Sequence, residues 1–148
     1  ARQPCTLFEF TGPGSLEGWE KTGTAWAVTA VSADWLKRHG QSPCFADSRA
    51  GGEPATGTLL SPPFTLSGGR LSFLANGHGK GNCFVLVDAD SGRELTARQP
   101  PPEATGPFVR QGWDVRALQG RRARFKAVDA TSGPSYSWIG FDKVELLP

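Results

Sequence analysis

The sequence predicts an all-β chain folded as a two-sheet antiparallel β-sandwich. Three observations lead there. Short apolar runs recur along all 148 residues, 19 glycines and 12 prolines punctuate them, and the one helix-like stretch is a single turn. About nine strands are expected, and the length suits one domain, residues 1–148, with a core of its own.

The runs that read as strands are, in order, Thr6–Phe10, Ala25–Val31, Cys44–Asp47, Thr58–Leu60, Arg70–Ala75, Cys83–Asp88, Glu94–Arg98, Ala123–Asp129 and Trp138–Leu147. Alternation is cleanest in Ala123-Arg124-Phe125-Lys126-Ala127, where alanine and phenylalanine turn inward and the cations face water. On that pattern Arg121, Arg122, Arg124 and Lys126 read as a solvated strand face rather than an anion site. Asp90-Ser91-Gly92 marks a hairpin between two runs, because glycine supplies the positive φ such turns require. The helical turn falls on residues 33–40 and ends on Gly40. The stretch 99–107, with four prolines, reads as an exposed loop, since proline brings no donor to a ladder.

Composition narrows the partners. Sixteen basic and 14 acidic residues give a net charge of +2, too small a surplus to concentrate nucleic acid. No apolar run approaches the roughly 18 residues that cross a bilayer. The chain opens on Ala1 and contains no methionine, as a mature form or a piece of a longer protein would. Cys5, Cys44 and Cys83 match no zinc spacing; they allow one disulfide, for which Cys5 and Cys44 are candidates, or three small hydrophobic residues.

The usual catalytic patterns are missing: the sequence has no nucleophile elbow, no phosphate-cradling loop and no paired histidines at helical spacing. Fourteen carboxylates could supply the pair a glycosidase needs, but nothing singles one out, and a non-catalytic domain is expected. In the last strand Lys143 and Glu145 alternate with Val144 and Leu146. Carrying that parity backwards places Asp142 inward, where a carboxylate needs a metal, an arginine or backbone N–H groups to cap. Trp19 and Trp113 read as core residues closing an end of the sandwich. Trp138, beyond the loop Ser132-Gly133-Pro134-Ser135-Tyr136-Ser137, reads equally as core or as a ring offered to a sugar.

The ends of the chain carry a resemblance. Leu7-Phe8-Glu9-Phe10 with Leu16-Glu17-Gly18-Trp19, and Ile139-Gly140-Phe141-Asp142-Lys143-Val144, resemble the opening and closing strands of jelly-roll carbohydrate-binding modules of the galactose-binding-like type. The segment from Asp47 to Phe64, containing Ala55-Thr56-Gly57-Thr58-Leu59, is similar to family 66 modules, which accompany secreted glycoside hydrolases. So are Phe73 to Gly79, Phe84 to Asp88, and Trp113-Asp114-Val115. The resemblance implies a secreted or cell-surface accessory domain that holds a glycan beside neighbouring domains. It implies one structural calcium ion shared by Glu9 and Asp142, and a sugar site drawn from Arg49, Glu53, His78 and Trp138. Arg49 and Glu53 would pair a fork donor with a two-oxygen acceptor, as vicinal hydroxyls require, or would form a surface ion pair. Tyr136-Ser137-Trp138-Ile139 departs from the family's usual Trp-Gly-His-Ile, which argues against the fructan specificity of its relatives. The alternative is a sandwich that packs against a protein neighbour.

Overall fold

The computed structural model describes residues 5–10, 16–30, 44–48, 55–130 and 138–148. Among these residues eleven strands make two antiparallel sheets: β1 (Cys5–Phe8), β2 (Glu20–Lys21), β3 (Ala27–Ala30), β4 (Cys44–Asp47), β5 (Gly57–Leu60), β6 (Phe64–Thr65), β7 (Arg70–Gly77), β8 (Cys83–Asp88), β9 (Ala104–Asp114), β10 (Arg122–Asp129) and β11 (Ile139–Leu147). One sheet runs β3-β4-β11-β7-β9, with β1 also on β11; the other runs β2-β5-β10-β6, with β8 also on β10. The predicted jelly-roll sandwich is therefore the observed one, and both chain ends meet where β1 pairs with β11.

The sheets close on a core of rings. Phe141 stands at its centre, with Phe10, Trp19, Trp26, Phe84 and Phe125 at centroid separations of 4.8 to 5.9 Å. Phe73 extends the stack to Trp113 and Phe125. Alternation behaves as read in β10, where Ala123, Phe125 and Ala127 are wholly buried and Arg124 and Lys126 are partly exposed. Ser61 ties the sheet edge to that core: its hydroxyl accepts the Phe125 N–H at 2.8 Å and donates to the Pro62 carbonyl.

Several expectations need correction. The proline-rich stretch does not remain loop: β9 begins at Ala104 and takes in Pro107. Proline is tolerated because β9 is an edge strand, and because Pro107 falls in the irregular stretch between the Gly77↔Ala104 and Ala75↔Val109 pairs, where ladder bonds lapse. Glu94–Arg98 forms no named strand; it flanks β8 through single bridges at Val87↔Glu94 and Phe84↔Gln99. The short strands β2 and β6 escaped notice because two residues carry no periodicity. The three cysteines are free thiols, Cys5 exposed and Cys44 and Cys83 buried, so Cys5 and Cys44 are not bridged.

Asp142 is fully buried, but on the opposite face from the one expected. A β-bulge interrupts β11 between Asp142 and Glu145, with Lys143 at φ 51°, and the inserted residue reverses the side-chain parity. Ile139 and Phe141 face the core before the bulge, and Val144 and Leu146 after it. Asp142 lies on the outer face opposite Leu74, which packs there with Phe45 and Phe108.

The hairpin at Asp90-Ser91-Gly92 forms as expected. Asp88 Oδ2 accepts the Asp90 and Ser91 N–H groups and the Ser91 hydroxyl, while Gly92 sits at φ 75°. The Ser91 donors hold the Asp88 carboxyl below the usual carboxylate range. The predicted turn at 33–40 lies outside the described residues.

Candidate functional site

One end of the sandwich gathers the predicted site. β4, β7 and β10 end there, and β3, β5, β8, β9 and β11 begin there, as the pairs Ala27↔Asp47, Gly140↔Asp47, Ile139↔Gly77, Gly77↔Ala104, Asp129↔Gly57 and Val128↔Cys83 show. Asn82 binds the two sheets together at this end, its amide nitrogen donating to the His78 carbonyl and its amide oxygen accepting the Ala130 N–H at 2.8 Å. Ser48, at the end of β4, accepts the Ile139 N–H at 2.8 Å.

His78 follows directly from β7. Its N–H donates to the Trp138 carbonyl at 2.7 Å, and its ring stands edge-on to Trp138 with centroids 6.2 Å apart. His78 Nδ1 lies 2.8 Å from Glu103 Oε2. An ionised carboxylate only accepts, so Nδ1 carries the proton and Nε2 is the acceptor of the neutral ring. Sequence reasoning missed Glu103. Its position after three prolines was the available signal, since a stiff extended lead presents the next side chain; the structure holds Glu103 at φ 58°, a conformation uncommon outside glycine. The His78 side chain is 15% exposed and that of Glu103 64%, so the pair forms a polar lip rather than a buried bridge.

Trp138 is 1% exposed. Its ring supports His78 from within and offers no face to solvent, so of its two readings the core one holds. His78 and Trp138 are thus brought together as grouped, in a packing relation instead of as two contacts to a sugar. Arg49 and Glu53 lie outside the described residues, between the ends of β4 and β5.

The predicted calcium pair is placed less closely. Asp142 Oδ1 accepts the Phe10 N–H at 2.8 Å, the backbone-capping role, while Glu9, the residue before Phe10, is exposed. Among the described residues no third histidine, cysteine, aspartate or glutamate joins them in a metal-ligating group. The basic cluster is balanced by carboxylates: Arg121 with Asp88 at 3.6 Å, Arg122 with Asp90 at 3.8 Å and Arg124 with Glu20 at 3.3 Å.

Among the described residues, depressions also line the opposite end of the sandwich. One of about 440 Å³ is lined by Arg70, Trp113, Asp114 and the stretch Leu95 to Ala97; a neighbour of about 280 Å³ shares Arg70 and Asp114. At this far end the Arg116 guanidinium grips Asp114, with Nε 3.1 and 3.0 Å from the two carboxylate oxygens. That side-chain bond, reinforced by the Arg116 N–H, holds the Asp114 carboxyl down to about 2. Because the folded value lies below the unfolded one, the pair's contribution is present above about pH 4 and is lost as pH falls through 2. Arg116→Ala should return Asp114 toward the ordinary carboxylate range, read by a carboxyl-carbon NMR titration. Stability at neutral pH should change by less than about 1 kcal/mol, the pair being exposed.

Comparison with known proteins places the architecture. No family model matches the chain, and no curated protein matches it in sequence. Solved structures do. A family 29 carbohydrate-binding module variant complexed with mannohexaose aligns with a TM-score of 0.54 at 15% identity, over 97% of this chain and 90% of that one. TmCBM61 complexed with β-1,4-galactotriose aligns at 0.51 and 18% identity, over 94% and 97%. The C-terminal extracellular domain of Mycobacterium tuberculosis EmbC aligns at 0.61 and 16% identity, over 95% of this chain and 60% of that one. At such identities the likeness establishes a shared fold. It is the β-sandwich that carbohydrate-binding modules use, and the narrower likeness to family 66 is not confirmed.

Proposed function

We propose that this domain is a non-catalytic carbohydrate-binding module whose loop end, built around His78 and Glu103, holds a glycan. The observation that carries the reading is the hydrogen-bonded His78–Glu103 pair, fixed over a buried tryptophan at the end where strand termini of both sheets converge. The Glu103 carboxylate, held by His78 and 64% exposed, can take a sugar hydroxyl, and Arg49 and Glu53, in the β4–β5 connection, would add a fork donor and a second acceptor. The shared sandwich adds support, since neighbours with that fold were solved with mannohexaose and galactotriose bound. Against a protein-docking role, Val109 at 41% is the one exposed large hydrophobic side chain among the described residues, so no broad apolar patch is presented there. The module would serve a secreted or cell-surface protein by raising the local concentration of its neighbours at a glycan.

A glycan array including fructans, mannans and galactosides tests this reading. Binding to at least one saccharide, weakened about tenfold or more by His78→Ala and Glu103→Ala, is expected. Absence of binding across the array would refute it.

A structural calcium at Glu9 and Asp142 belongs to the same reading, supported by the burial of Asp142 and by Glu9 preceding the amide that Asp142 caps. Chelation should then lower the melting temperature, and native mass spectrometry should show one bound ion. An unchanged melt with no ion would leave Asp142 as the cap of Phe10.

A further inference from the structure

The far end of the sandwich carries a second concave surface that the loop-end reading does not use. The two depressions adjoin through Arg70 and Asp114, making a groove that crosses from the Glu94–Gln99 flank of β8 to the end of β9. One wall is apolar, formed by Leu95, Leu118 and one side of Trp113. The Trp113 ring is 8% exposed and cannot swing, because its Nε1–H donates to the Ala97 carbonyl at 2.8 Å and its face packs on Phe73. The other wall is charged. Arg116 is occupied by Asp114, whereas Arg70 is exposed and makes no ion pair among the described residues. Arg70 acts on Asp114 only from beyond ion-pair distance, so its guanidinium fork is left to a ligand beside Asp114, Arg116 and Pro148.

The geometry points to a second ligand site here, one that takes an acidic saccharide, with Arg70 receiving a uronate carboxylate while the ring's apolar face lies along Leu95, Leu118 and Trp113. Each feature selects for part of that ligand. A guanidinium binds a carboxylate through two parallel N–H bonds, which a neutral hydroxymethyl group cannot return. The fixed apolar wall favours a pyranose over a small free anion, which would gain nothing from it. The outer lone pairs of Asp114, kept ionised by Arg116, accept ring hydroxyls. Volumes of about 440 and 280 Å³ suit a short stretch of chain, not a single ion. Since β7 runs from Arg70 to Gly77, about 3.3 Å per residue sets the two sites roughly 25 Å apart at opposite ends of one strand. The inference does not depend on the loop-end site.

Calorimetric titration of the intact protein with trigalacturonate, galactotriose and acetate tests it, with the Trp113 indole N–H followed by NMR. The expected result is binding of trigalacturonate with a shift of that indole signal and at least tenfold weaker binding of galactotriose. Arg70→Ala should abolish the uronate binding, and Arg70→Lys should recover only part of it. Ala117→Glu, which adds a carboxylate at the exposed rim without touching the core, should also weaken it about tenfold, while His78→Ala should leave it intact. Equal affinity for galactotriose would overturn the acidic assignment. Acetate binding as tightly as the trimer would reduce the groove to a simple anion contact. Failure of trigalacturonate to bind at millimolar concentration, or loss on His78→Ala with retention on Arg70→Ala, would remove the site.

Discussion

Gly77→Ala is expected to destabilise the domain by about 3–5 kcal/mol, enough to lower its melting temperature by roughly 10 °C. Gly77 ends β7 at φ 110°, outside the range of residues with a Cβ, and a Cβ there would lie 2.3 Å from the Trp138 carbonyl oxygen and 2.6 Å from the Ile139 Cα. Neither obstacle can turn aside. Both are backbone of the strand that pairs with β7, and that carbonyl accepts the His78 N–H. The substitution therefore attacks the fold and the candidate site at one point. Gly92→Ala is the matched control: it too has positive φ, 75°, but a Cβ would meet nothing within 4 Å. Only the conformational cost remains there, about 1 kcal/mol. Chemical denaturation of the two variants separates crowding from φ strain; similar losses for both would show that the close approach at Gly77 does not matter.

Phe141→Ala should cost about 3–5 kcal/mol, a large part of the roughly 5–15 kcal/mol that holds a domain together. The ring is wholly buried and touches five others, three from the first 26 residues and two from β8 and β10 of the facing sheet. Removing it opens a cavity that rigid rings cannot refill. Phe141→Leu restores much of the volume and should recover more than half of the loss. A denaturation midpoint for Phe141→Ala within about 1 kcal/mol of the unaltered protein would mean that the ring cluster is not the core described here.

What the sequence made legible follows from where physical rules act locally. Arg122–Asp129 and Cys83–Asp88 could be read because inward and outward positions alternate or run buried within a single strand. Asp142 was read as buried, but its face was not. Parity was carried across Lys143, and a bulge leaves no mark when the residue at positive φ is lysine instead of glycine. β9 was hidden by Pro107, since the rule against proline in sheets lapses at an edge, and edge position is a property of the whole fold. At the site, His78 and Trp138 lie side by side, with Trp138 packed against the His78 ring instead of facing a ligand. Burial of Trp138 was not legible, because its neighbour His78 is 60 residues away in sequence and reaches it only through the register of β7 with β11. The pairing of His78 with Glu103 joins residues 25 apart through the register of β7 with β9 and had no sequence pattern to announce it. The Arg70 groove was missed for the same reason, its walls coming from three separate parts of the chain.

Glycan recognition at the loop end is the central claim, and backbone-amide NMR during titration with the array's best saccharide, set beside mannohexaose and galactotriose, tests it most directly. The account predicts saturable shifts concentrated at His78, Lys80, Asn82 and Glu103, with the His78 ring signals moving together and His78→Ala weakening the response. Saturable shifts confined to other surfaces, or no shift at any of these residues with a saccharide that binds, would contradict it.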